Sequence, residues 1–179
     1  MKNSTVKDDT ESRSTELREE ACLTVNDPFR GGQFVANKKL TPEELSRLEE
    51  AIAEDEKLRF AVVGDLNAKN RYARCVLAVT DRQIYGLDET FDGGVKVHSF
   101  DKLKRAYVKR CYGNALLIFS GEENKVNFLR FSYREAPIFD AAAAFITNAA
   151  GGADEEEELH TVEASMKSSS GFAPNAAVP

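Results

Sequence analysis

The region from residue 58 to residue 150 carries the pattern that most constrains this fold: seven strand-like runs followed by one amphipathic helix. Leu58, Phe60 and Val62 show the two-residue period in which alternate side chains share one face of a strand. Turn sequences such as Asp92-Gly93-Gly94 separate successive runs. Short strands at this spacing predict an antiparallel barrel or sandwich.

The seventh run, residues 125 to 133, does not keep a single apolar phase. Val126 and Phe128 lie on one face of a regular strand, whereas Leu129 and Phe131 lie on the other. A β-bulge or burial on both faces would accommodate this change of phase, and the sequence leaves both explanations open.

The last helix of the region is predicted to begin at Pro137 and to end at Gly151-Gly152. Its apolar side chains share one face, and they are Ile138, Ala142, Phe145, Ile146 and Ala149. A seven-stranded barrel has open ends, and this face would close one of them. We therefore predict a mainly β domain with helices, in which a seven-stranded antiparallel barrel is capped by a C-terminal helix.

A second helix is predicted ahead of the strands, over residues 41 to 55. Thr41 fits the N-cap position, Pro42 the first helical position and Glu44 the third, which together form a capping box. Leu45, Leu48 and Ile52 then give the helix one apolar face for packing on the domain.

The run Leu77-Ala78-Val79-Thr80-Asp81-Arg82-Gln83-Ile84-Tyr85 resembles a hairpin that is common in bacterial pleckstrin-homology-like (PH-like) domains. The order of seven strands and one helix over residues 58 to 150 is similar to that fold. The stretch from Leu40 to Tyr85 also resembles the PH-like module that precedes some bacterial ABC exporters. The resemblance implies the helix-capped PH-like barrel and a binding function.

The polar composition at both ends predicts flexible flanks around this domain. Residues 1–39 are expected to form a flexible N-terminal arm, residues 40–150 the PH-like domain with its N-terminal helix, and residues 151–179 a disordered tail. The tail is acidic from Asp154 to Glu158 and then rich in Ser, Ala and Pro.

The composition offers little catalytic chemistry. With two histidines and three cysteines that lack a CxxC spacing, we expect no metal site. No nucleophile–base pair and no phosphate-binding loop stand out, so we expect neither an enzyme nor a cofactor. The net charge of −6 argues against nucleic acid as a partner.

No apolar run approaches the roughly 20 residues of a membrane span. The first residues lead into a polar stretch and not into the apolar core of a signal peptide. We therefore expect a cytoplasmic protein without a transmembrane segment, with peripheral attachment to a membrane as an alternative.

A basic cluster is the main candidate site, and its members are Lys102, Lys104, Arg105, Lys109 and Arg110, with Tyr107 between them. Such a strand face would attract an acidic protein segment or phosphorylated headgroups. The competing interpretation is structural, since charged edge strands also block aggregation.

Lys69 and Arg71 form a second candidate group in the first hairpin loop. They resemble the basic loop with which some pleckstrin-homology domains bind phosphoinositides, although Asp65 in the same segment would oppose a phosphate. The sequence thus predicts a non-catalytic cytosolic interaction or regulatory module with a protein partner, accessory to a membrane transporter or another protein complex. Binding of anionic lipid is the alternative.

Overall fold

The computed structural model describes residues 23–27, 32–122, 124–151 and 155–168, and in this part the chain is mainly β with three α-helices. The strands are β1 (Leu23–Asp27), β2 (Gly32–Ala36), β3 (Leu58–Leu66), β4 (Tyr72–Thr80), β5 (Gln83–Leu87), β6 (Val95–Ser99), β7 (Arg105–Cys111), β8 (Asn114–Ser120) and β9 (Lys125–Phe131). The helices are α1 (Pro42–Ala51), α2 (Ala136–Gly151) and α3 (Glu155–Ser168). The prediction of a mainly β protein with helices is confirmed.

The strands form two sheets. Sheet A has the order β1-β2-β3-β4-β5-β6, and sheet B has the order β7-β8-β9. All neighbours are antiparallel except β2 and β3, which run parallel. The seven strands predicted over residues 58 to 133 are therefore present, but they are divided four and three between two open sheets. No strand ladder closes them into one barrel within the described residues.

Sheet B crosses sheet A steeply, because β9 touches four strands of sheet A in succession. The contacts along β9 and the residue after it are Asn127 O with Lys96 Nζ on β6, Phe128 with Gly86 on β5, Arg130 O with Cys75 Sγ on β4, and Ser132 with Asp65 on β3. The sheets are thus two layers of a sandwich whose strands cross at a large angle.

The core has two layers, one on each face of sheet A. The inner layer lies between sheets A and B and α2, with Phe60, Leu77 and Phe119 among its fully buried residues. The outer layer lies beneath α1, where Leu48 and Tyr85 are buried. The central part of sheet A is therefore covered on both faces, whereas Val97 of β6 at its edge is 49% exposed.

Helix α1 begins as predicted. The Thr41 hydroxyl accepts a hydrogen bond from the Glu44 N–H (3.1 Å), and the Glu44 carboxylate accepts one from the Thr41 N–H (2.7 Å). This confirms the capping box. The helix ends at Ala51 and not at residue 55, because the backbone becomes extended at Ile52, whose side chain is buried in the outer core.

Helix α2 lies along the free edge of β7. The Thr147 hydroxyl accepts a hydrogen bond from the Ala106 N–H at 2.9 Å, and Asp140, two helical turns earlier, pairs with Arg110 near the other end of the strand. Phe145 is 1% exposed and meets the Phe60 ring edge-on at 5.1 Å between centroids. The predicted burial of this helix face is confirmed, and Ile138, Ala142 and Ile146 are buried with it.

The boundaries predicted for the domain were too narrow at both ends. Strand β2 pairs with β3, and Phe34 and Ala36 are buried, so residues 32 to 39 belong to the domain and not to an arm. Helix α3 packs on α2 and buries Val162 and Met166, so the expected disorder is wrong for residues 155 to 168. In both segments a few apolar residues supply enough burial to dock a largely polar stretch. Residues 1–22 and 169–179 lie outside the described part of the chain.

Candidate functional site

The basic cluster predicted around β7 is divided by the alternation of the strand. Arg105, Tyr107 and Lys109 point away from the core, and the Arg105 guanidinium lies 5.6 Å from the Tyr107 ring centroid. Arg110 belongs to the opposite set of β7 positions and pairs with Asp140 of α2 at 3.0 Å. The structure therefore brings together three of the predicted residues and separates Arg110 from them.

Lys102 and Lys104 lie before β7, beside the β8–β9 hairpin. The Lys104 ammonium is 3.1 Å from the Glu122 carboxylate, and both side chains are mostly exposed. A shallow cavity of about 420 Å³ here is lined by Asp101, Lys102, Leu103, Lys104 and Glu122. Because two carboxylates share this cavity with two lysines, it is not a purely basic site, and its exposed ion pair contributes little stability.

The register of sheet B defines a surface that the sequence did not reveal. Side chains of directly paired residues project from the same face, and the outward rows are Arg105–Ser120–Lys125, Tyr107–Ile118–Asn127 and Lys109–Leu116–Arg130. Four cations stand at the ends of the first and third rows, and none of the described strand positions on this face holds a carboxylate. We call Arg105, Tyr107, Lys109, Ile118, Lys125 and Arg130 the cationic sheet face.

Lys125 was missed because the pairing of β8 and β9 could not be read from the sequence, and Arg130 because its placement depends on a β-bulge. The pairing shifts between Leu117 and Ile118, so that Leu117 faces Leu129 while Ile118 faces Asn127. In a regular ladder Arg130 would lie opposite Ala115 and point into the core. The irregular phase of residues 125 to 133 was the one available signal, and the bulge explanation is the one that the structure supports.

The Arg130 guanidinium uses only part of its hydrogen-bonding capacity within the described chain. One of its terminal nitrogens donates to the Asn114 side-chain oxygen at 2.7 Å, and its Nε makes no hydrogen bond to a described residue. A guanidinium has five N–H donors, so this side chain retains donors for a further acceptor.

The predicted loop residues Lys69 and Arg71 are exposed on a hydrogen-bonded turn of sheet A. The Asn67 side-chain oxygen accepts hydrogen bonds from the N–H groups of Lys69 (3.1 Å) and Arg71 (3.0 Å). The Asp88 carboxylate ties the same turn to the β5–β6 connection through the Ala68 N–H at 2.7 Å. Lys69 and Arg71 thus form a second basic group on a different part of the molecule from the cationic sheet face.

Asp65, which we expected to oppose a phosphate at this loop, is used elsewhere. Its carboxylate accepts hydrogen bonds from the Ser132 N–H (2.9 Å) and the Ser132 hydroxyl (2.6 Å). These bonds join the end of β3 to the residue that follows β9. The acid therefore has a structural partner that links the two sheets.

The titratable groups of the interior are also held by structural contacts. Burial raises the pKa of the Cys75 thiol to about 12, which leaves it protonated at neutral pH. Glu56 is buried and accepts hydrogen bonds from Thr80 (2.6 Å) and Tyr85 (3.0 Å). The half-buried His98 ring packs edge-on against Phe119 on the inner side of β6.

Comparison with known proteins gives no relative: no family model, curated protein or solved structure matches the chain. In the described part of the chain, none of the helices combines the length and the apolar character needed to cross a membrane. The same residues contain no group of three or more His, Cys, Asp or Glu side chains placed to hold a metal ion.

Proposed function

We propose that this protein is a non-catalytic, cytosolic interaction or regulatory module that binds a protein partner through the cationic sheet face. One observation carries the proposal: the central part of sheet A has a core layer on each face, whereas sheet B has a core layer only on its inner face in the described structure. Ile118 is 5% exposed and Leu116 half-buried, yet neither belongs to a core layer. A sheet surface of this kind is available to another molecule.

We also propose that residues 58 to 151 adopt a PH-like fold. The division of seven strands into four and three, the steep crossing of the two sheets and the helix that follows the last strand support it. Strands β1 and β2 and helix α3 are additions to that pattern. The resemblance of the stretch from Leu40 to Tyr85 to modules ahead of ABC exporters favours a partner that belongs to a membrane transporter. Other protein complexes are the alternative.

The polar interior supports a binding role over catalysis. Glu56, Asp65 and Asp88 each accept two or more hydrogen bonds from neighbouring backbone or hydroxyl groups. The hydrogen bonds of these carboxylates join strands and turns of the fold. A catalytic site would instead present titratable groups that converge on a substrate cleft.

Site-specific cross-linking in cells tests this proposal without assuming the chemistry of the partner. A photoreactive phenylalanine analogue is placed at the position of Tyr107, and a control carries it at Val97, an exposed residue of β6. We expect discrete protein adducts from position 107 that are absent from position 97. No adduct from position 107, or the same adducts from both, would contradict the proposed interface.

Binding of anionic lipid is a second candidate function, favoured by the hydrogen-bonded loop that exposes Lys69 and Arg71. Tyr72 beside them is 88% exposed, and an aromatic ring next to cations suits a membrane interface. Flotation with phosphatidylserine vesicles tests it, with Lys69→Glu/Arg71→Glu compared against Lys39→Glu/Lys57→Glu. Loss of flotation in the first variant alone would support lipid binding, and no flotation of the unmodified protein would exclude this function.

A further inference from the structure

We infer that the cationic sheet face recognises an acidic protein segment that carries an apolar side chain between its carboxylates. The inference rests on the proposed function, in which this face is the interaction surface, and it adds the chemical class of the partner. Three features of the face lead to it: its charge, the spacing of its cations and its apolar centre.

Positive charge is concentrated in and around sheet B. Residues 102 to 134 contain eight Lys or Arg against two Glu, a local charge of +6, although the whole chain carries −6. The cations next to the face are neutralised, since Lys104 pairs with Glu122 and Arg110 with Asp140. None of the described ion pairs includes Arg105, Lys109, Lys125 or Arg130. An anionic partner would therefore meet four cations that this part of the chain leaves without counter-charges.

The four cations stand at the corners of a rectangle. Arg105 and Lys109 are four residues apart on β7, roughly 13 Å, and two strand spacings of about 5 Å separate β7 from β9. An extended segment with carboxylates at positions i and i+4 spans roughly the same 13 Å. The face thus fits an extended acidic segment that lies along the strands.

The middle row of the rectangle is largely apolar. Tyr107 and Ile118 occupy two of its three positions, Asn127 occupies the third at the β9 edge, and Ile118 is almost fully covered by its neighbours. The Tyr107 ring is the accessible apolar part of this row, and the Arg105 guanidinium lies 5.6 Å from its centroid. An apolar side chain of the partner would pack on the Tyr107 ring while its flanking carboxylates reach the cations.

The same features make two other anionic partners a poorer fit. A bilayer is anchored by apolar side chains that protrude, whereas Ile118 is only 5% exposed. Single-stranded nucleic acid is held by successive aromatic platforms, whereas Tyr107 is the one aromatic residue in the outward rows. An acidic protein segment needs neither protruding apolar side chains nor successive aromatic rings.

The test is a titration of isotopically labelled full-length protein with a short Glu-rich peptide that has one central Leu, followed by amide NMR shifts. We expect shifts confined to the cationic sheet face and binding that weakens steeply with salt. Lys109→Glu/Lys125→Glu should weaken binding about tenfold or more at low salt, since two of four cations are reversed. The control Lys39→Glu/Lys57→Glu makes the same change in net charge on exposed residues beside α1 and β3 and should bind like the unmodified protein. Replacing the central Leu of the peptide by Ser should weaken binding severalfold.

Several results would overturn the inference. Equal loss in the two double variants would show that net charge and not this face governs binding. If phosphatidylserine vesicles or a single-stranded oligonucleotide bind the same residues more tightly than the acidic peptide does, the partner is a lipid or a nucleic acid and not an acidic protein segment. If position 107 yields protein cross-links in cells but the acidic peptide does not bind, the proposed function stands and the acidic partner is wrong. If both fail, the interface itself is wrong.

Discussion

The hydroxyl of Thr147 on α2 hydrogen-bonds the backbone of Ala106 at the free edge of β7 in sheet B. Removing this hydroxyl measures what the contact contributes to stability. Thr147→Val keeps the branched shape of the side chain and removes its oxygen. The Ala106 N–H then loses its acceptor, and the carbonyl oxygens of Ala106 and Ala143 lose the donor that they share. One backbone donor of β7 is left unsatisfied beneath α2.

The expected loss of stability follows from that unsatisfied group. A buried donor without a partner costs about 1–3 kcal/mol, and because this contact is only part-buried we expect about 1–2 kcal/mol. Thr147→Ser retains the oxygen and removes one methyl group, which should cost less than about 1 kcal/mol. Because Val is nearly isosteric with Thr, the loss in Thr147→Val reports the contacts of the hydroxyl, and Thr147→Ser controls for the loss of a methyl group.

Urea denaturation of both variants measures the loss, and hydrogen exchange locates it. The Ala106 amide should exchange faster in Thr147→Val than in Thr147→Ser, while amides in the interior of β8 keep their protection apart from the change in global stability. Equal destabilisation by Val and Ser, or an Ala106 amide that stays equally protected in both, would refute the role assigned to Thr147 as the cover of this edge.

Three further substitutions test the core and the docking of α1. Phe145→Ala should cost about 3–5 kcal/mol in urea denaturation, because it empties a fully buried ring site; an unmoved midpoint would place this face outside the core. Gly64→Ala should cost about 1–3 kcal/mol, because its Cβ would lie 2.7 Å from Cys75 Sγ; unchanged stability would mean that the sulfur moves freely. Burial alone would raise the pKa of Glu44, but hydrogen bonding, chiefly from Arg74, lowers it overall. The ionised Glu44 carboxylate therefore stabilises the fold above about pH 4.3, and this stabilisation is lost as the pH falls further. Glu44→Gln should thus cost about 1 kcal/mol at pH 7 and progressively less below pH 4, and a pH-independent difference would exclude this linkage.

The elements with strong local signals were predictable from the sequence. The capping box at Thr41 fixed the start of α1, and the apolar face around Phe145 predicted how α2 packs. The short segments β2 and α3 were not predictable, because each docks through a few apolar residues within a polar stretch. Their stability comes from tertiary burial of residues such as Phe34 and Met166, and local propensity does not report it.

The candidate site was predictable only in part. Arg105, Tyr107 and Lys109 could be placed on one face by counting along β7, and the same counting separates Arg110 from them. Which residues of β8 and β9 stand beside them depends on ladder register, and register is set by turns and bulges that pattern alone does not fix.

The bulge in β9 connects the packing of the core to the charge of the outer surface. Phe128, Leu129 and Phe131 are all buried, at 1%, 2% and 0% exposure, and a regular strand cannot direct the adjacent Phe128 and Leu129 to the same side. The extra residue at the bulge allows both to enter the core, where Phe128 packs over Gly86. The next residue, Arg130, must then point outward, opposite Leu116 and in line with Lys109. The same irregularity that fills the core beneath sheet B therefore supplies the fourth cation of its outer face.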